Sequence, residues 1–536
     1  TQILRWKASG AEDALVLYYA MDVQELEEGQ EPTWYPYVDA NGDPVVIAND
    51  VNTDDEQQFE ITVPEAPTDS AVFKLVENIP DQEAALFATS EVFTIPGVRI
   101  ERPVADYSWY IQSVEPVQWT SAYTVDTTNP AAEDHMLLEY TVDAYKETPA
   151  WYSVVSGVPF SYGQVNWQPA QHIADPAKEM RPSPTAKLRI TALYPPDIDG
   201  DGLTTDELIQ DESDQFTISG VLVTKPALLD QWTIGEKPTV TWFSAGSGDD
   251  EAQVYYSVFG TFEEGDSQLI AAWPNNEADF NQSNMPWQIP DDLTPSSTAK
   301  IKVVVEKPDG STFEDASEFF VLRGLKVTDP VEGDVLVQGT NTTLQWRSAG
   351  LLNDPNATIA IYYTHTGDAA DEVQVATGIG LDNGTAGDNI GSYTWPVDPY
   401  QLRPATPDVD AGVEPHFRIE VASTDGNDNG FEAISGNVTV RGIRIDSPAE
   451  AESWALGETR TIQWVAADAG TTVDIYYSPD GGNFGEEPIN GQLALDIADG
   501  QFEWIIPEDI DPADGTAKLK IVSDSGVESL SKPFTM

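Results

Sequence analysis

Asp197-Ile198-Asp199-Gly200-Asp201-Gly202, followed by Asp206, sets carboxylates at alternate positions around glycine. That pattern wraps oxygen ligands around a hard cation. Asp425-Gly426-Asn427-Asp428-Asn429-Gly430-Phe431-Glu432 repeats the chemistry later in the chain. A helix–loop–helix site would need Glu at the twelfth position, where the first run has Leu208, so the expected form is a shorter calcium loop inserted in a β-hairpin. The predicted Ca2+ ligands are Asp197, Asp199, Asp201 and Asp206, and in the second run Asp425, Asn427, Asn429 and Glu432. An acidic glycine-rich turn without an ion has the same composition, and both readings stand at this level.

Two aromatic runs are the other source of chemistry: Trp34, Tyr35 and Tyr37 in one, Trp151 and Tyr152 in the other. Such runs stack on sugar rings or anchor protein interfaces, and they equally fill the core and edge of long insertions. Asn281, Asn341, Asn356, Asn383 and Asn437 head Asn-x-Ser/Thr acceptor sites for glycosylation, a motif that also arises by chance in such a chain. Catalysis finds little footing. His135, His172, His365 and His416 are scattered without metal spacing, and no glycine-rich phosphate loop opens a helix, so no enzyme is expected.

These residues must be carried by several cores, because 536 residues exceed what one core serves. Asp and Glu number 91 against 26 Lys and Arg, a net charge of −65. Such a surface repels a phosphate backbone and excludes nucleic acid as a partner. It suits calcium, cationic surfaces or a saline habitat, with screening beyond about 8 Å at physiological salt. Cysteine is absent, so thiolate chemistry and disulfide staples are excluded. No apolar run reaches the length of a membrane span, and membrane insertion is not expected.

The elements repeat. A strand ending in Trp occurs at Trp6, Trp119, Trp242, Trp346 and Trp464. A tyrosine-bearing strand follows at Tyr18-Tyr19, Glu139-Tyr140, Tyr255-Tyr256, Tyr362-Tyr363 and Tyr476-Tyr477. A second aromatic near proline closes each set, at Phe59, Trp167, Trp287, Trp395 and Trp504. Gly97, Gly220, Gly324 and Gly442 each open a new repeat directly after a final strand. Period-two segments such as Ala517-Lys518-Leu519-Lys520-Ile521 and Ala299-Lys300-Ile301-Lys302-Val303 read as half-buried strands, and helical periodicity is essentially missing. The prediction is an all-β chain of five tandem immunoglobulin-like β-sandwich domains in an elongated rod: 1–96, lacking its first strand; 97–219 and 324–441, each with an acidic hairpin insertion; 220–323; and 442–536. Two large aromatics from opposite sheets are expected to fill the volume that a disulfide takes in antibody domains. Short junctions predict stiff articulation.

Ser453-Trp454-Ala455-Leu456-Gly457-Glu458, Ile462-Gln463-Trp464, Val473-Asp474-Ile475-Tyr476-Tyr477 and Phe502-Glu503-Trp504 carry a family resemblance. They resemble the Ig-like repeat of the Ser-Thr-rich GPI-anchored membrane family, whose fungal members act in cell-wall glucan assembly and whose prokaryotic relatives are tandem modules of surface proteins. Asp230-Gln231-Trp232-Thr233-Ile234-Gly235-Glu236 matches as well, whereas the fourth unit has no Trp at that place and the second keeps Trp109 without the glycine. The resemblance implies a β-sandwich and a surface location, with no catalytic residues to transfer.

Function is therefore expected to be mechanical: an extracellular, cell-surface structural protein, the subunit of a filament or surface layer. Self-association into a polymer, calcium stiffening and head-to-tail strand complementation are its expected features. The shortened first unit fits either such complementation or a cut from a longer array. The alternative is an adhesin stalk or polysaccharide-binding array of a larger secreted protein, with glycans or cell-surface polysaccharide as partner.

Overall fold

The computed structural model describes residues 2–8, 14–23, 30–48, 56–63, 66–78, 87–122, 135–169, 179–193, 208–247, 251–275, 282–307, 309–351, 357–364, 367–381, 390–398, 415–422 and 430–536. Regular structure in them is strand, with short 3-10 turns between. The second repeat shows the plan. Gly97–Arg102, Glu115–Ala122 and Gln164–Trp167 pair antiparallel in one sheet. Tyr152–Pro159, His135–Thr141, Ser183–Ala192 and Gln210–Glu212 form the facing sheet. Alternate side chains of a strand point to opposite faces, so Lys518–Ser523 strictly alternates half-buried and buried residues. Buried apolar side chains among the described residues gather into clusters, each drawn almost wholly from one repeat.

The paired aromatics depart from expectation. Trp119 and Trp167 lie on directly hydrogen-bonded strands of the same sheet, as do Trp464 and Trp504. The partner reaching across from the opposite sheet is the second tyrosine of the Tyr-Tyr pair. Ring centroids are 5.4 Å apart for Tyr140–Trp167, 5.2 Å for Tyr256–Trp287, 5.3 Å for Tyr363–Trp395 and 5.7 Å for Tyr477–Trp504. Strand pairing decides this, since strands three places apart in sequence become neighbours in the sheet. The first Trp instead spends its indole N–H on a carbonyl of the loop crossing beneath it. Trp119 donates to the Phe160 carbonyl, Trp346 to Leu381 and Trp464 to Ile497, each at 2.9 Å.

A serine recurs where the final strand leaves one sheet for the other. Ser213, Ser317, Ser435 and Ser531 are buried and accept the N–H of Leu188, Ile301, Phe417 and Leu519 at 2.9–3.0 Å. Each hydroxyl also donates to the carbonyl of the next residue, at 2.7–2.9 Å. Backbone at a sheet switch has no ladder partner, and the hydroxyl satisfies both orphaned groups.

The strand after the switch does not stop at the end of its repeat. Phe216–Lys225 pairs first with Ser183–Ala192 of the second unit and then, from Gly220, with Thr239–Ala245 of the third. Phe320–Asp329 serves the third and fourth units likewise, and Thr439–Ser447 the fourth and fifth. At the first junction Pro96 separates Phe93–Ile95 from Gly97–Arg102. A shared strand leaves no linker residue to rotate freely, so its twist sets the angle between neighbours.

Candidate functional sites

The junctions are the most elaborated surfaces. In the fifth unit a single parallel bridge joins Ser453 to Thr535, and in the second, third and fourth a short strand pairs parallel with the final strand, at Ser108–Tyr110, Gln231–Thr233 and Val335–Val337. The residue just past it wedges against the glycine that opens the next unit. Ile111 donates its N–H to Ser219 O at 2.8 Å, and a Cβ on Gly220 would sit 2.6 Å from its side chain. Ile234 bonds Arg323 O at 3.0 Å and packs on Gly324 in the same way. Gln338 donates its N–H to Arg441 O at 2.9 Å and fills the space over Gly442. Its side-chain amide then accepts the Ile443 N–H at 2.7 Å and donates to Ser529 Oγ at 3.2 Å in the fifth unit.

Ring contacts complete these joints. Tyr110 stacks on Phe313 across the second junction, centroids 5.4 Å apart and 8° from parallel. Burial pushes its phenol pKa up, aided by Asp315 and Glu314. Buried Arg181 pairs with Asp143, bonds Glu179 at 2.9 Å and lies 4.5 Å over Phe243 of the third unit. Arg323 lies 4.6 Å over Phe431 at the third junction. At the first junction Pro67 meets Gly97, and two clefts of about 780 and 830 Å³ open beside it.

A second surface repeats down the chain. Lys74, Arg189, Lys302, Arg418 and Lys520 occupy one register position, opposite Tyr18, Glu139, Tyr255, Tyr362 and Tyr476. Each cation lies over aromatic rings. Two of the predicted ligand residues, Trp34 and Trp151, belong to this set. Lys74 Nζ is 4.9 Å from Trp34 and 4.8 Å from Phe87, and Arg189 is 4.2 Å from Trp151 while bonding Glu139 at 2.7 Å. Phe262 and Phe484 play the same part for Lys302 and Lys520, at 5.1 and 5.0 Å. Contacts of this kind contribute about 0.5–1 kcal/mol each at exposed sites. Arg418 lies 4.4 Å over Tyr362 and bonds both oxygens of Glu372 at 2.7 Å, which holds that carboxyl below its usual pKa.

Of the remaining aromatic candidates, Tyr152 tilts against Tyr140 at 5.4 Å, and Tyr37 Oη donates to Thr62 O and accepts the Thr62 N–H. Tyr35 leans on Tyr19 and is 48% exposed. Trp34 and Trp151 therefore share a local environment, over a cation of the outer sheet, though they come from different loops. The sequence signal was the register: one cation in each alternating strand, opposite the first residue of the tyrosine pair.

The calcium candidates Asp197, Asp199, Asp201, Asp206, Asp425, Asn427 and Asn429 lie outside the described residues. Glu432 is described: it starts the strand Glu432–Ile434 and its carboxylate stands 3.3 Å from Arg418. Among the described residues no group of three or more His, Asp or Glu side chains is placed to hold an ion. Of the glycosylation candidates, Asn281, Asn356 and Asn383 lie outside the described residues. Asn341 is exposed at the start of its strand, whereas the Asn437 amide donates to Glu332 at 3.4 Å.

Fold and surfaces together define an all-β protein built from serially joined Ig-like β-sandwiches, with the joints as its specialised features. No family model matches the chain, and no curated protein matches it. Among solved structures it is similar to the N-terminal eight Ig domains of Down Syndrome Cell Adhesion Molecule, at 9% identity and TM-score 0.20, over 97% of this chain. It spans 64% of that chain's length. The chicken CNTN1 FN1–FN3 domains match at 14% identity and TM-score 0.20, covering 64% of this chain and 98% of theirs. Sidekick-1 immunoglobulin domains 1–5 match at 9% identity and TM-score 0.15, over 99% and 94%. No helix among the described residues is long and apolar enough to cross a membrane.

Proposed function

We propose that this chain is an extracellular, non-enzymatic structural protein: a stiff stalk of five tandem sandwiches, divided at residues 97, 220, 324 and 442, that self-associates into a surface filament or layer. The observation that carries this reading is strand sharing. Phe216–Lys225, Phe320–Asp329 and Thr439–Ser447 each belong to two consecutive units, and the wedges Ile111, Ile234 and Gln338 lock the joints. Such construction transmits force and holds length, which an isolated binding module does not need. Calcium in the two acidic loops would add stiffness by neutralising clustered carboxylates. Head-to-tail strand complementation would extend the same joint from one molecule to the next. The Ser-Thr-rich GPI-anchored membrane repeat is the family whose residues this pattern resembles, and a cell-surface location goes with it.

Exposed Tyr35 favours a second reading, an adhesin stalk or polysaccharide-binding array that docks glycans or cell-surface polysaccharide on the first units. Electron microscopy of the purified chain separates the two. Regular head-to-tail polymers are expected, and dispersed single molecules that bind a glycan array would reject the filament.

A further inference from the structure

Two chains that each carry a net charge of −65 meet side by side most readily where carboxylates are sparse. One such line runs along the outermost strands of the cation-bearing sheets. Tyr152–Pro159, Ser267–Pro274 and Val373–Gly380 take the same edge place in the second, third and fourth units, and none of them holds a charged residue. Among the described residues no strand pairs with their far sides. An unpaired edge presents a row of N–H and C=O groups that another strand can join, and bulges, charge and proline are the usual defences. Two of these edges are bent by such devices. Tyr152–Pro159 and Val373–Gly380 each shift register twice, and each has a glycine at positive φ, Gly157 at 78° and Gly378 at 72°. The fifth unit has only the two-residue strand Leu495–Asp496 there. Ser267–Pro274 is the unguarded edge. It runs for eight residues without charge or glycine, its proline comes last, and it shifts register once. None of its residues is buried, and Leu269 is 55% exposed.

That single shift makes the strand complementary to itself. Leu269 lies opposite Tyr255 and Ala272 opposite Gln253, so both point to the outer face, whereas Gln268 and Trp273, opposite Tyr256 and Ala252, point inward. Without the bulge, Leu269 and Ala272 would point to opposite faces, because they are an odd number of residues apart. An antiparallel copy centred between Ile270 and Ala271 therefore sets Leu269 beside Ala272 and Gln268 beside Trp273, each pair on one face. We infer that Ser267–Pro274 of two copies of this chain pair antiparallel about a two-fold axis, so that the third units of both molecules share one continuous sheet. The occupant is a second copy because this pairing sets an uncharged edge on an uncharged edge and a large Leu269 on a small Ala272 twice over. The inference rests on reading the chain as a self-associating repeat protein, and it names the side by which copies meet.

The test is sedimentation velocity of the whole chain over a concentration series at low and high salt. A side-by-side pair is expected, tighter in high salt as the net charge is screened, with hydrogen exchange slowed at residues 267–274. Leu269→Lys and Ala272→Glu should each weaken the pair about tenfold or more, since an edge charge opposes strand addition. Both side chains are exposed, so neither change reaches the core. Mixing the two variants should restore pairing, because the register sets the new cation opposite the new carboxylate. Thr377→Lys, on the fourth unit's edge, should leave the pair unchanged. No pair, a pair indifferent to Leu269→Lys, a loss with Thr377→Lys, or mixed variants that stay apart overturns the inference. Microscopy reads the filament separately. Head-to-tail polymers from a chain whose lateral pairing ignores Leu269→Lys reject the edge and keep the filament; pairs of the expected behaviour without polymers do the reverse.

Discussion

Replacing Ser435 by alanine tests whether the sheet-switch serine holds each sandwich together. Its hydroxyl accepts the Phe417 N–H at 2.9 Å and donates to Gly436 O at 2.7 Å, and the residue is 8% exposed. Phe417 is fully buried, so removal of the hydroxyl strands a desolvated donor that water cannot reach. The expected loss is about 1–3 kcal/mol. In a sandwich of about 100 residues each kcal/mol moves the midpoint by about 4–8 °C, so that unit's transition should fall by about 5–20 °C. Ser90 is the internal control. It accepts the Phe73 N–H at 3.0 Å in the same arrangement, but it is half-exposed, and water replaces the hydroxyl. Ser90→Ala should cost below about 1 kcal/mol. Hydrogen exchange of the peptide containing Phe417 assigns the effect to the fourth unit, and calorimetry gives its size. Equal costs at Ser90 and Ser435, or unchanged protection of the Phe417 amide, would refute the reasoning.

Arg418→Ala removes the cation over Tyr362 and leaves Glu372, Glu420 and Glu432 facing one another. The fourth unit should lose about 1–2 kcal/mol in urea unfolding, with part recovered in high salt. Because Glu372 has a lowered folded pKa, its contribution is complete above its unfolded pKa of about 4.3 and disappears as pH falls through the folded value. The fourth unit's midpoint should therefore drop in acid below about pH 4, and Arg418→Ala should flatten that part of the curve. Chelation should lower the midpoint and raise protease sensitivity of the second unit, and Asp199→Ala should copy it; silence in both rejects calcium. Trp34→Ala is expected to loosen Lys74 and Phe87 with a cost of about 1 kcal/mol to the first unit. If it instead abolishes glycan-array binding at unchanged stability, the ring serves a ligand.

Much of the architecture was legible in the residues. Alternation in Ala517-Lys518-Leu519-Lys520-Ile521 announces a strand because successive side chains point to opposite faces, and recurrence of Trp, Tyr and Gly at matched places announces reiteration. The candidate sites were less legible. Trp34 and Trp151 stand out as isolated aromatic runs, yet each lies against a cation from a strand far away in sequence, and Phe262 and Phe484 do the same from unrelated loops. Seryl groups such as Ser213 and Ser531 look like ordinary turn residues until the backbone they satisfy is in place.

Sequence alone determined the strand periodicity, the charge, the lack of thiol chemistry and the aromatic inventory of every core, since these depend on residue type and local spacing. Only the tertiary structure decided that the two recurrent tryptophans share a sheet, that one strand serves two units, and that a wedge closes each later joint. Those outcomes depend on which distant strands pair and in what register, and hydrogen-bonded neighbours in a sandwich are not neighbours in sequence.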